Sequence, residues 1–133
     1  MTNSEFQPGP LARSLMAARG WDESVRAIML AGKSLSVLPE SGRQPENRVD
    51  GCDSQVWIAR CGPADAPFQA YSDSKILRGV LAILLEQANR LSHQQQLTFD
   101  YDGFMRACGL ERYLSQSRNN GIRHVVARLR SLS

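Results

Sequence analysis

Cysteine is the one side chain in this sequence that is a good nucleophile without a dedicated base, because part of it is thiolate near neutral pH. The chain holds three, Cys52, Cys61 and Cys108. Cys52 stands in Val49-Asp50-Gly51-Cys52-Asp53-Ser54, which reads as a tight turn between two extended segments with the cysteine near its tip. A cysteine in such a turn can present its sulfur to another protein. Gly51 crowds nothing and can take left-handed backbone angles, and the N–H groups of the turn can stabilise a thiolate. Asp53 works the other way, since a neighbouring negative charge raises a thiol pKa. Cys61 at a strand end and Cys108 before Gly109 read as small packing residues. A hairpin could carry Cys61 towards Cys52 as a resolving thiol, but packing is the preferred reading. On the residues alone Cys52 is a candidate reactive thiol, and a plain turn cysteine is the competing reading.

Other chemistries find little support. There is no Gly-x-Ser-x-Gly and no Gly-rich phosphate loop. His93, in Ser-His-Gln-Gln-Gln, and His124, between Arg123 and Val125, lie on polar stretches and read as solvated. The carboxylates are scattered singly, so no pair suggests general acid–base work. An odd cysteine count without Cys-x-x-Cys is no disulfide framework, and a zinc site would have to recruit His93 and His124 from distant segments. Neither a metal nor a bound cofactor is expected.

These groups must be positioned by a chain of 133 residues, enough for one core and too short for two comfortable ones. With 42% hydrophobic and 22% charged residues it has an ordinary globular composition, so a single domain over 1–133 is expected, with 1–10 as a loose lead-in. No run is long enough to span a bilayer, and Met1 to Pro10 has neither a basic stretch nor an apolar core; the cytoplasm is the default expectation, with no membrane partner. The formal charge of +3 is uneven: residues 1–102 carry 10 basic and 12 acidic side chains, while 103–133 carry six Arg and one Glu. Only Lys33 and Lys75 are lysines. A basic C-terminal helix could attract nucleic acid or an acidic protein surface. Because no aromatic residues interleave with the arginines, a solvated basic face is preferred and no nucleic acid is expected.

The periodicity predicts helices first. Leu11 and Leu15 mark a short helix ending near Gly20, and Trp21, Val25, Ile28 and Met29 describe the buried face of a second that runs to about Ala31. Residues 34–50 read as an extended connection without its own secondary structure, broken by Pro39, Gly42 and Pro45. Gln55–Cys61 and Phe68–Tyr71 read as antiparallel strands, with the segment around Arg48–Asp50 adding a third. Lys75–Leu91 is a helix with so wide an apolar surface that it must be central. A short helix over Phe99–Cys108 is stopped by Gly109. The last helix has its face at Ile122, Val125, Val126 and Leu129, with Ser117 as its N-cap candidate. The predicted class is α+β: a small antiparallel sheet of about three strands packed against flanking helices in two layers.

Gly51-Cys52-Asp53-Ser54-Gln55-Val56-Trp57-Ile58 closely resembles the Gly-Cys-x-Ser-Gln-Val-Trp signature of the SufE/CsdE family of sulfur acceptors. Upstream, Arg43, Pro45, Asn47 and Val49 resemble the family's approach to its cysteine. Downstream, Ser72-Asp73-Ser74 with Ile76-Leu77-Arg78-Gly79 looks like its Asp-Ser-Asp and Ile-Val-Lys/Arg-Gly segment. Leu114-Ser115-Gln116-Ser117-Arg118-Asn119-Asn120-Gly121 resembles its Leu-(Thr/Ser)-x-Ser-Arg-x-x-Gly motif. Asp53 departs from the pattern, standing where the family often has a neutral polar residue. The family fold, which resembles that of iron–sulfur scaffold proteins, agrees with the α+β reading.

The resemblance implies a persulfide carrier rather than an enzyme that turns over alone. Its partner would be a cysteine desulfurase of the SufS or CsdA type, which keeps the pyridoxal phosphate. Cys52 would take the sulfur and pass it to a downstream iron–sulfur scaffold or other acceptor. The resemblance further implies that Arg118 lies near the cysteine loop and favours thiolate or persulfide anion. Asp73 would hold or release that loop, while Gln55 and Trp57 would shape the pocket or contact the partner, with Gly51, Asp53 and Ser54 completing the loop. For Trp57 core packing is the alternative, and for Arg118 a surface position at a helix start. Competing functions are a cluster scaffold, a thiol redox sensor, and a basic adaptor acting through the C-terminal arginines.

Overall fold

The two N-terminal helices and the sheet are laid against one helix, α3 (Lys75–Ala88). The computed structural model describes residues 7–49 and 54–132. Leu77, Val80, Leu81, Ile83 and Leu84 of α3 have no exposed surface, so the helix is covered on more than one side, as its wide apolar surface requires. Ser74 starts it, its Oγ accepting the Leu77 N–H at 3.3 Å.

Two earlier helices lie on α3. At α1 (Pro10–Ala17), the Glu86 carboxylate of α3 accepts the N–H groups of Leu11 and Ala12 at 2.9 and 3.3 Å. An anion there satisfies orphan donors and opposes the positive end of the helix dipole. α2 (Gly20–Ala31) crosses α3 at Gly79, where a Cβ would meet the Ile28 carbonyl oxygen at 2.0 Å. The expected buried face of α2 needs correction: Trp21 is 61% exposed and Met29 39%, while Ser24, Ile28 and Ala31 are buried. The close crossing is the reason, since only a narrow stripe fits against Gly79. Trp21 packs at the edge, on the ring of Tyr113 (4.8 Å between centroids).

β1 (Val56–Arg60) and β2 (Phe68–Ser72) form an antiparallel pair with Trp57 opposite Tyr71 and Ile58 opposite Ala70. Val56 and Ile58 share one buried face, as their alternation predicts. The expected third strand is not formed among the described residues. On that side a single antiparallel bridge joins Arg48 to Trp57, and a parallel bridge joins Val37 to Ala70. The cause is local: Glu40–Gly42 and Pro45–Asn47 wind into short 3₁₀ turns, as does Gly32–Ser34, so 34–49 is turned rather than extended.

Past α3 the chain forms α4 (His93–Thr98), α5 (Tyr101–Cys108), a 3₁₀ turn at Leu110–Tyr113 and α6 (Gln116–Ser131). Sequence periodicity misses α4 because its buried contact is polar. Ser92 and Gln95 make a reciprocal capping box, and buried Gln96 bonds the Tyr101 hydroxyl and the Ala88 carbonyl. Gly109 ends α5 in the left-handed region, φ +73°, as a glycine C-cap does. The N-cap of α6 is Ser115 rather than Ser117, with its Oγ accepting the Arg118 N–H at 3.2 Å. Ile122, Val125, Val126 and Leu129 are buried, which is the expected face. The class is α+β, with a two-stranded sheet among the described residues.

Candidate functional site

The chain approaches residues 50–53 along a path fixed by side chains bonding to backbone. Asn47 Nδ2 donates to the Gly42 carbonyl at 2.7 Å, and Arg43 Nε donates to the Leu38 carbonyl at 3.1 Å. The Arg43 guanidinium also lies over the Tyr71 ring, 3.6 Å from its centroid, a cation–π contact. Val49 is buried, and its N–H donates to the Val56 carbonyl at 2.8 Å, so the segments on either side of residues 50–53 are joined. From α6, Arg128 reaches back with Nη1 to the Glu46 carbonyl (3.3 Å) and Nη2 to the Arg48 carbonyl (3.0 Å). Its planar fork makes both bonds at once, which a lysine could not.

The exit is held by the residues the sequence singled out. Ser54 is half-buried, and its Oγ accepts Arg118 Nη2 at 3.3 Å. The Gln55 N–H donates to Asp73 Oδ1 at 3.2 Å, while the side chains of Gln55 and Asp73 face solvent. Arg118 is set in the first turn of α6 by the Ser115 cap, so one helix start both ends the preceding loop and carries the cation. Gly51, Cys52 and Asp53, with Asp50, lie outside the described residues. The described frame therefore brings Ser54, Gln55, Asp73 and Arg118 together at one end of that segment and Arg128 at the other. Trp57, half-buried, stacks on Tyr71 with centroids 6.3 Å apart.

Two guanidinium groups bracket the segment that carries Cys52. Arg118, half-buried at the start of α6, bonds Ser54 at the near end of that segment. Sequence reasoning missed Arg128 and Tyr71. The available signal for Arg128 was its position on α6, ten residues or nearly three turns beyond Arg118. For Tyr71 there was none, because its partner Arg43 comes from a distant loop.

The other cysteines divide. Cys108 is buried, and burial together with the Glu86 charge pushes its thiol up to about 11, so it stays protonated and inert. Cys61 is exposed, which corrects the packing reading; its Sγ lies 3.2 Å from Gln69 Oε1 at the strand end. His93 and His124 are exposed as expected. Among the described residues no group of three or more His, Cys, Asp or Glu could hold a metal ion, and no helix is long and apolar enough to cross a membrane. Several C-terminal arginines are engaged within the fold: Arg130 donates to the Phe99 carbonyl at 2.8 Å, beside the Arg118 and Arg128 contacts above.

A family model described as "SufE: Fe-S metabolism associated domain" matches residues 10–133. An uncharacterised SufE-like protein of Rhizobium meliloti (strain 1021) is 34% identical over 116 residues, covering 84% of this chain and 83% of that protein. With the four motif blocks in order and their residues gathered around the cysteine segment, the chain belongs to the SufE family, the Fe-S metabolism associated domain.

Proposed function

We propose that this protein is a sulfur acceptor for a pyridoxal-phosphate cysteine desulfurase of the SufS or CsdA type, carrying persulfide sulfur on Cys52 towards iron–sulfur cluster assembly. The observation that carries the reading is the frame around the cysteine segment. Arg118 bonds Ser54 at 3.3 Å on one side, and Arg128 bonds the Arg48 carbonyl at 3.0 Å on the other. In the proposed step the Cys52 thiolate attacks the terminal sulfur of the persulfide held by the desulfurase. A new S–S bond forms on Cys52, the donor's S–S bond breaks, and the donor cysteine leaves as thiolate. No net oxidation occurs, and the cofactor stays on the partner. Arg118 would favour both the attacking thiolate and the product anion, and Asp73 would hold the loop through the Gln55 N–H.

Removing sulfur from the desulfurase frees it for another cycle. The test is therefore the partner's cysteine turnover with and without this chain. Wild type should accelerate it several-fold, and Cys52→Ser should not. Stimulation that survives Cys52→Ser would contradict the reading.

A further inference from the structure

A cleft of about 370 Å³ opens where α2, the Gly32–Ser34 turn and the start of α3 meet. Four cations line it: Arg26, Lys33, Lys75 and Arg78. They come from three separate elements, and no carboxylate is among the lining residues. None of the four forms an ion pair with a described residue; Arg78 Nε is buried without a hydrogen-bond partner among the described residues, and its guanidinium lies 5.4 Å from the Tyr71 ring centroid. The chain has 14 arginines and only two lysines, and both lysines stand here. Four like charges around one concavity repel one another and raise the local potential for an anion. The rest of the lining is apolar: Met29 and Leu30, 39% and 54% exposed, are neighbours on the outward side of α2.

We infer that this cleft is a docking site for an acidic, partly apolar peptide segment of a partner protein. Charge complementarity selects the carboxylates, and Met29 and Leu30 give apolar side chains of the same segment a surface to cover. A small inorganic anion would leave Met29 and Leu30 unused. Nucleic acid is disfavoured because no aromatic ring lines the cleft for a base to stack on. A flat lipid surface does not match a concave site. Lys75 of the cleft lies two residues beyond Asp73, whose carboxylate accepts the Gln55 N–H. A partner held at Lys75 is therefore held near Asp73 and Gln55. The inference stands whether or not Cys52 carries sulfur.

The two lysines give a direct probe. Reductive ¹³C-methylation keeps their charge and labels both inside the cleft. A synthetic peptide of repeating Glu-Glu-Leu should shift both lysine signals saturably, and its Glu-Glu-Ser counterpart should bind several-fold more weakly. Arg26→Gln with Leu30→Ser changes two exposed side chains that make no hydrogen bond among the described residues, so folding should persist, checked by circular dichroism. That variant should weaken the peptide roughly tenfold, since each exposed ion pair accounts for a few-fold in affinity. Lysine signals unmoved by the peptide would overturn the inference. So would equal affinity for Glu-Glu-Leu and for pyrophosphate, or tighter binding of single-stranded DNA or of anionic phospholipid vesicles.

Discussion

α3 and the stretch from Leu35 to Gln55 are held by different forces. Within α3 nearly every apolar side chain is buried, whereas in the described part of the stretch only Leu35, Leu38 and Val49 are. What fixes the stretch is a set of directional bonds: Arg43 to the Leu38 carbonyl, Asn47 to the Gly42 carbonyl, Arg128 to the Glu46 and Arg48 carbonyls, Arg118 to Ser54, and Asp73 to the Gln55 N–H. Apolar burial is strong and indifferent to orientation. A side-chain-to-backbone hydrogen bond contributes about 1 kcal/mol and fixes one geometry. The core thus supplies stability and the polar bonds supply the register of the segment that carries Cys52. Variants in the two regions should separate accordingly.

The largest stability effect belongs to α3. Leu84→Ala empties space around a side chain with no exposed surface and should cost about 3 kcal/mol in chemical denaturation. Sulfur accepted per folded molecule should stay near wild type. Next comes alkaline pH. The Cys108 thiol is pushed up to about 11 in the fold from an ordinary 9.0, so the fold favours its protonated form. That stability is fully present below pH 9 and is lost as pH rises through about 11, on the order of 2 kcal/mol. The buried Tyr101 hydroxyl, also pushed up chiefly by burial, acts in the same direction above pH 10. Unfolding curves between pH 8 and 11 should show the decline, and Cys108→Ala should flatten its first part.

The polar bonds carry the smaller stability effects. Arg128→Ala removes two bonds to carbonyls that solvent can replace, and should lower stability by about 1 kcal/mol. It should also slow sulfur acceptance more than Leu84→Ala does, which is the reverse of their order in stability. Arg118→Gln should change stability by less than about 0.5 kcal/mol. If Arg118 favours the Cys52 thiolate as proposed, the variant should slow alkylation of Cys52 at neutral pH, read from alkylation rate against pH. If Leu84→Ala and Arg128→Ala lowered stability and acceptance in the same proportion, the division between core and frame would be wrong.

The legibility of the sequence follows the same division. α3 and α6 could be read because their contacts are apolar and periodic, and Ile122, Val125, Val126 and Leu129 lie where periodicity puts them. The α2 face misled because its burial is decided by a backbone crossing at Gly79, which favours Ser24 and Ala31 over Trp21. α4 was hidden because Gln96 is its buried residue, and a polar core contact leaves no apolar period. The third strand failed because Pro45–Asn47 takes a 3₁₀ turn, leaving Arg48 only one bridge to Trp57. At the site, the motif residues Ser54, Gln55, Asp73 and Arg118 do meet. Arg128 carries no motif signal, because what it bonds is backbone and any residue's carbonyl would serve.

The measurement closest to the central claim is intact-protein mass spectrometry after incubation with a SufS- or CsdA-type desulfurase and cysteine, run on wild type, Cys52→Ser and Cys61→Ser. The account predicts one added sulfur on wild type and on Cys61→Ser, and none on Cys52→Ser. Added sulfur that persists in Cys52→Ser, or none on the wild type with either desulfurase, would contradict it.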